Sequence, residues 1–337
     1  MEKQLTVSSS PHIRADENTR SVMLDVLIAL SFPLAVAVYF FGWRSLSLAA
    51  VSVACCAAFE YAYRKLLKKP GSLGDLSALV TGMLLCFILP VSAPYWVAVL
   101  GSFFAIVVVK QLYGGIGKNF LNPALAARAF MSGFAALSSY VAPLSDPRVP
   151  VLGAFAPDAV AAATPLSYIK PAEQLLLHGL PTGTGVFSWQ DMFLGQIPGC
   201  IGEVSTALLL LGGLYLVIRR VITPRIPLAF IGTAALLTFF FPRGGVPGGE
   251  YMLYSLLSGG LVLGAVFMAT DYATSPVTPR GQWLYGIGCG LLTVFIRYFG
   301  GMPEGVCYAI LLMNTVVWLL DKAGVPRRFG RRWLRRE

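Results

Sequence analysis

The chain has 337 residues, 56 % of them hydrophobic and only 12 % charged, with a mean hydropathy of +0.70. That is too apolar for a water-soluble surface and identifies a polytopic membrane protein. The net charge of +10 belongs to membrane topology, and with no folded basic patch in a base-reading context, nucleic acid is not an expected partner.

Residues 1–20 are polar and mixed in charge, and the apolar run after them is too long for a signal-peptide core. They read as a retained cytoplasmic segment. Crossing a hydrocarbon core of about 30 Å takes roughly 20 helical residues. Ten runs qualify: 21–43, 46–63, 74–90, 94–112, 123–143, 204–219, 226–241, 253–270, 282–299 and 303–321. The third, fifth and sixth are short or interrupted by Gly and Pro, as half-helices or re-entrant segments are. The expected fold class is therefore all-α, with about ten transmembrane helices. Residues 21–143 form a first five-helix half, 144–203 an external loop, 204–321 a second five-helix half, and 322–337 a basic cytoplasmic tail.

Cationic loops resist translocation, so lysine and arginine positions set the orientation. With both termini in the cytoplasm, 21 of the 26 cations fall on the inner face, Lys110, Lys118 and Arg128 among them. Arg44, Arg148, Lys170, Arg243 and Arg297 fall outside. The terminal run KAGVPRRFGRRWLRRE reads as a stop signal lying on anionic membrane lipid, or as a docking site for a soluble partner.

The six cysteines show no CxxC spacing, and all but Cys200 lie in apolar runs. They read as buried reduced thiols. With only His12 and His178, neither a metal site nor a haem ligand pair is expected. No Walker loop, GxGxxG, HExxH or GxSxG motif is present. Chemistry here needs a cofactor or a transported ion.

Sliding the sequence on itself by 186 places Pro90 on Pro276, Val91 on Val277, and Tyr113-Gly114-Gly115 on Phe299-Gly300-Gly301. Helices three to five then match helices eight to ten. The members of each pair are five positions apart in the span order, an odd offset that gives the halves opposite orientation, the inverted-repeat plan of many transporters. Ionisable residues near the spans are Asp25, Glu60, Asp75, Arg128, Asp271, Arg297 and Glu304. Snorkelling or capping accounts for most of them. Asp75 and Asp271 flank the repeated segment and are the ion-path candidates.

The long external segment contains DAVAAATPLSYIK. Locally, Thr164 before Pro165 is a helix start, with threonine as N-cap and proline at the first helical position. Three other stretches widen that reading: SPHIRADENTRSVMLDVLIAL, KQLYGGIGKNFLNPALAARAF and PEGVCYAILLMNTVVWLLD. Together they resemble the D subunit of the Rnf ion-translocating electron-transport complex, a relative of the B subunit of the sodium-translocating NADH:quinone reductase. GDLSALVTGMLLCFILP, PGCIGEVSTALLLLGG and ATDYATSPVTPRG support the same resemblance.

The resemblance implies a multi-pass subunit of the cytoplasmic (inner) membrane of a bacterium or archaeon, working with the other subunits of an Rnf-type complex. It implies FMN joined through its phosphate to a threonine on the outer face, by a flavin transferase acting at an aspartate, a small-residue stretch and the acceptor. Asp158 precedes Thr164 by six residues, and Ala163-Thr164-Pro165-Leu166 match, while Ala161 and Ala162 replace the usual Ser/Thr and Gly. A hydroxyl is needed for the phosphoester, and small neighbours let the segment enter the transferase. Non-covalent riboflavin is implied as well, without assigned ligands.

The block at Lys118, Asn119, Asn122 and Pro123 opens a helix and reads either as part of a second flavin or ion site or as a structural helix break. Three functions remain open. The chain is a flavoprotein subunit of an ion-translocating ferredoxin:NAD oxidoreductase, not catalytic alone; or a redox-independent transporter or channel; or a structural anchor without covalent flavin.

Overall fold

The computed structural model describes residues 18–134, 137, 140, 141, 143, 164–168, 188–243, 246–300 and 304–325. Among these, all regular structure is helical apart from one isolated antiparallel bridge between Pro90 and Cys200.

Two long apolar helices open the chain, α1 (Thr19–Phe41) and α2 (Trp43–Leu66), each long and apolar enough to cross a membrane. Asn18 starts α1 by accepting from Ser21 N at 2.9 Å, and the Ser21 hydroxyl accepts from Asn18 N at 3.1 Å. This reciprocal cap satisfies two end amides. The next passages are short: α3 (Ser77–Phe87), α4 (Tyr95–Phe103, continuing as a π-helix over Phe104–Gln111) and α5 (Pro123–Met131).

Two small helices follow, α6 (Pro165–Tyr168) and α7 (Trp189–Leu194), and then α8 (Thr206–Ile218) and α9 (Arg225–Phe240). Helix α10 (Gly248–Leu257) bends by 62° into α11 (Leu261–Leu263), which continues as a second π-helix, Gly264–Met268. Helix α12 (Pro279–Phe299) is long, and α13 (Val306–Thr315) bends by 59° into α14 (Val317–Gly324). Each bent pair is long and apolar enough for one more passage, so the chain is a multi-pass membrane protein.

The third, fifth and sixth runs are short, as expected, at 11, 9 and 13 helical residues. The breaks after Leu257 and Thr315 lie inside runs that hydropathy reads as continuous, because hydropathy does not register backbone direction. Irregular backbone at such depth must be satisfied by protein. At Ile88–Pro94 that happens through Ile201 N donating to Leu89 O at 3.0 Å and Arg44 Nη2 donating to Ala93 O at 3.1 Å.

Close packing follows small residues. Gly286 and Gly290 lie one turn apart on α12, where a Cβ would come within 2.8 Å of Ile226 O and 2.9 Å of Phe230 O on α9. Close backbone approach at small residues drives helix association where lipid removes the hydrophobic incentive. Helix α1 leans on α8: the Tyr215 hydroxyl donates to Asp25 Oδ1 at 2.9 Å and Arg219 reaches Asp25 Oδ2 at 3.3 Å. Asp25 is thus a tie between elements.

Candidate functional site

The first candidate site is a narrow cleft of about 90 Å³ where the ends of α1, α3, α5 and α8 meet both π-helices. Its polar lining includes Ser77, Lys110, Asn119, Asn122, Thr270 and Asp271, and Phe267 and Val26 are among its apolar wall. π-Helical turns release backbone groups from the regular ladder and recur at functional sites. Here Lys110 comes from the first and Phe267 from the second.

Lys110 is the least expected member. Counted from sequence among the inner-face loop cations, it is instead 3 % exposed within the π-helix. Its Nζ donates to Glu60 Oε2 at 2.8 Å and to Ser77 Oγ at 2.6 Å, and the Ser72 hydroxyl donates to Glu60 from the other side. The stem carries the charge inward because an acid waits there, and a buried charge persists only when paired. For Glu60, the pair with Lys110 replaces the snorkelling or capping expected from its position near a span end.

Asn122 does two jobs. Its side-chain oxygen accepts from Ala124 N at 3.1 Å and Leu125 N at 3.3 Å, capping α5, while its Nδ2 donates to Met268 O at 3.1 Å at the end of the second π-helix. The helix break and the site are one construction. Asn119 is buried in the same lining and donates to Leu121 O at 3.1 Å. Lys118 is exposed and outside that lining.

The two ion-path candidates separate. Asp271 lines the cleft, accepting from the Thr274 hydroxyl at 3.2 Å; burial raises its carboxyl above the usual range, opposed by the Ala273 amide and by Thr274. Asp75 belongs to the start of α3, accepting from Ser77 N at 2.9 Å and Ser77 Oγ at 2.6 Å. It therefore touches the Lys110 network through one serine.

A second polar cluster lies at the other end of α5. Cys200 Sγ and the carboxylates of Glu203 and Glu304 lie within 4.8 Å of one another. Arg128 reaches Glu304 Oε2 at 3.3 Å and the Tyr140 hydroxyl donates to Glu304 Oε1 at 3.0 Å. Arg128, counted from sequence as an inner-face cation, is a helix residue committed to this pair. Glu203 sits in the turn before α8, and burial, reinforced by Glu304, pushes its carboxyl up to about 8.

Beside this cluster runs the segment that holds Thr164. Helix α6 begins at Pro165, as the Thr-Pro pair anticipates; Thr164 is half-buried, and Pro165 and Leu166 are buried. Leu166 lies against the α10–α11 break: a Cβ on Gly259, whose φ is +66°, would meet Leu166 Cδ2 and Arg297 Nη2, each at 2.8 Å. Glycine tolerates that backbone and leaves room for both neighbours. Arg297 holds the break by donating to Ser255 O at 2.6 Å, Ser258 O at 3.1 Å and Gly259 O at 3.3 Å, and its Nε is buried without a partner. Asp158 and Ala163, the other residues expected there, lie outside the described residues.

Sequence reasoning missed the Lys110–Glu60 link and the role of Arg297. A basic residue four places before Gly114-Gly115 and three before Gly300-Gly301 was the available signal. The six cysteines are unpaired thiols; Cys56, Cys86, Cys200 and Cys289 are buried as expected, while Cys55 and Cys307 are only half-buried.

Comparison with known proteins agrees with the resemblance. The family model of the NQR2, RnfD, RnfE family matches residues 6–330. The D subunit of the Na(+)-translocating ferredoxin:NAD(+) oxidoreductase complex of Acetobacterium woodii is 46 % identical over 98 % of this chain and 96 % of its own length. The D subunit of the proton-translocating ferredoxin:NAD(+) oxidoreductase complex of Clostridium ljungdahlii is 42 % identical over 97 % of this chain and 96 % of its own. The D subunit of the ion-translocating oxidoreductase complex of Stutzerimonas stutzeri is 40 % identical over 92 % of each.

Proposed function

The chain belongs to the NQR2, RnfD, RnfE family, and from that premise we propose that it is the D subunit of an ion-translocating ferredoxin:NAD oxidoreductase complex, carrying electrons through FMN esterified to Thr164. Near-full-length similarity to subunits of that name supports the complex. The observation that carries the flavin is local: Thr164 opens a short helix that Leu166 holds against a glycine break. The residues present fit a phosphoester there. A hydroxyl-bearing residue is half-buried rather than enclosed, and an arginine with one buried, unpartnered donor lies under the next turn. When attached, FMN supplies the exchange between one-electron and two-electron carriers. The chain's own part is to fix the tether, to place positive charge beneath a negative group, and to keep that end of the helix bundle rigid.

The ion-coupling part rests on the bundle. On this reading α1, α2, α3, α4, α5, α8, α9, the two bent pairs and α12 make ten passages, with both termini in the cytoplasm and Thr164 on the outer face. Supporting inverted halves, Lys110 and Arg297 come close to the Gly-Gly pairs that the 186-residue offset superposes, yet they serve opposite ends of the bundle. The cation is left as sodium or proton, since the relatives carry both names. A non-covalent riboflavin is placed at the cleft on the chemistry of its lining alone, since Ser77, Lys110, Asn119, Asn122 and Asp271 supply polar groups beside the apolar Phe267 and Val26. Partners are the remaining subunits and, for maturation, a flavin transferase.

The test is flavin fluorescence of the denatured protein in a gel after co-expression with the transferase. Wild type is expected to fluoresce and Thr164→Val to be dark. A fluorescent Thr164→Val would move the tether elsewhere, and darkness in both, with the transferase active on another target, would leave a transporter or an anchor.

A further inference from the structure

We propose that the cytoplasmic end of α2 is a binding site for an anionic phospholipid, its phosphate held between Arg64, Lys65 and Lys69. Four cations fall within six residues there, Arg64, Lys65, Lys68 and Lys69. Such a run complements the negative end of a helix, but one or two charges suffice for that. What distinguishes this one is a cavity of about 500 Å³, lined by Glu60, Tyr61, Arg64, Lys65, Lys69 and the Gly71–Gly74 turn.

The level of the cavity relative to lipid is fixed by its neighbours. Leu66 is 83 % and Leu67 47 % exposed, directly between the cations. Two exposed leucines there are tolerable where acyl chains cover them. Tyr61 and Tyr63 lie one turn before, with Lys65 Nζ and Lys69 Nζ each 5.4 Å from their ring centroids. Tyrosines and snorkelling lysines mark the headgroup boundary. A phosphate joined to acyl chains meets the cations and the leucines at once, so charge and apolar exposure together favour a lipid.

The cavity is also electrostatically ready. Glu60 forms its back wall, but that carboxylate is already met by Lys110 and Ser72. Arg64 is anchored by donating from Nη1 to Pro70 O at 2.8 Å, and its buried Nε has no partner. A guanidinium fixed in place by Pro70 O, beside two flexible ammonium groups, gives the cavity the fixed positive charge that a phosphodiester calls for. Basic pockets at the cytoplasmic side of membrane helices recognise anionic headgroups in this way.

The experiment uses the intact complex in nanodiscs of phosphatidylcholine with a minor fraction of phosphatidylglycerol or cardiolipin. Native mass spectrometry counts the anionic lipid retained after mild delipidation. Wild type and Lys65→Arg/Lys69→Arg should retain it, and Lys65→Gln/Lys69→Gln should retain at least ten-fold less. Lys69→Gln alone, a milder change, should show a smaller loss and serves if the double variant does not fold. Equal retention in wild type and the glutamine variants overturns the proposal. So does displacement of the lipid by millimolar inorganic phosphate, which would make this a free-anion site. Loss of a partner subunit with unchanged lipid would overturn it in favour of a protein contact.

Discussion

Lys110 and Arg297 stand at nearly equivalent places, each ending a helix just before a Gly-Gly pair, and the protein uses them in opposite ways. Lys110 meets a carboxylate and a hydroxyl on neighbouring helices, Glu60 and Ser77. Arg297 donates its hydrogen bonds to carbonyls, those of Ser255, Ser258 and Gly259 at the α10–α11 break, with the Glu203 carboxyl nearby. At one end a buried ion pair joins α2 to α4; at the other a fixed cation takes the place of the helix hydrogen bonds that a break leaves open. The lesson is that a similar local sequence, a cation shortly before Gly-Gly, carries a charge without carrying its partner. The partner depends on whether the neighbouring backbone is intact.

The sharpest way to break this comparison is to remove each cation. Lys110→Met strands Glu60 in the interior with Ser72 alone and should cost about 3–5 kcal/mol, read as a large fall in the thermal midpoint of the purified protein. The double variant Lys110→Met/Glu60→Gln should recover most of the loss. If it does not, the pair is not what joins α2 to α4.

Arg297→Leu should cost less, about 1.5–3 kcal/mol, because hydrogen bonds from a charged donor to carbonyls are lost but no opposite charge is stranded. Protease sensitivity should rise at the Ser258–Gly260 break. Arg297→Lys should fall between, since an ammonium cannot span three carbonyls in one plane. Equal costs for the two cations would erase the distinction drawn here.

The smallest effect concerns pH. Glu203 holds its proton up to about pH 8 in the folded chain, against about 4.3 for an unperturbed glutamate. Between those values the folded state binds the proton and the unfolded state does not, so this group's contribution to stability falls as pH rises through the window. Glu203→Gln should remove that decline, and the variant's midpoint advantage over wild type should grow from pH 5 to pH 8. A parallel pH dependence in both proteins would return Glu203 to the ordinary carboxylate range.

Much of the fold was legible because lipid imposes a simple rule on composition. The apolar runs, the short third, fifth and sixth segments and the Thr164–Pro165 helix start all come from local residue type. The site was legible in pieces. Asn119, Asn122 and Asp271 stand out in the sequence, and the fold brings them to one cleft. Lys118, chosen by the same reasoning, is exposed, because the turns at Gly114, Gly115 and Gly117 carry it outside the lining. Lys110 escaped because a lysine in the last turn of the 94–112 run reads as a cation reaching the inner face; Glu60, fifty positions earlier, makes its burial tolerable.

By itself the sequence determined that this chain lives in a membrane, where its apolar runs begin and end, and which family it resembles. All three follow from residue type and order. The tertiary structure decided which charges are buried together, that α10–α11 and α13–α14 are broken, and that Leu166 seats the Thr164 helix against Gly259 beside Arg297. Those depend on partners far apart in the chain, and the cost of an unpaired polar group in an apolar interior, not any local preference, selects them.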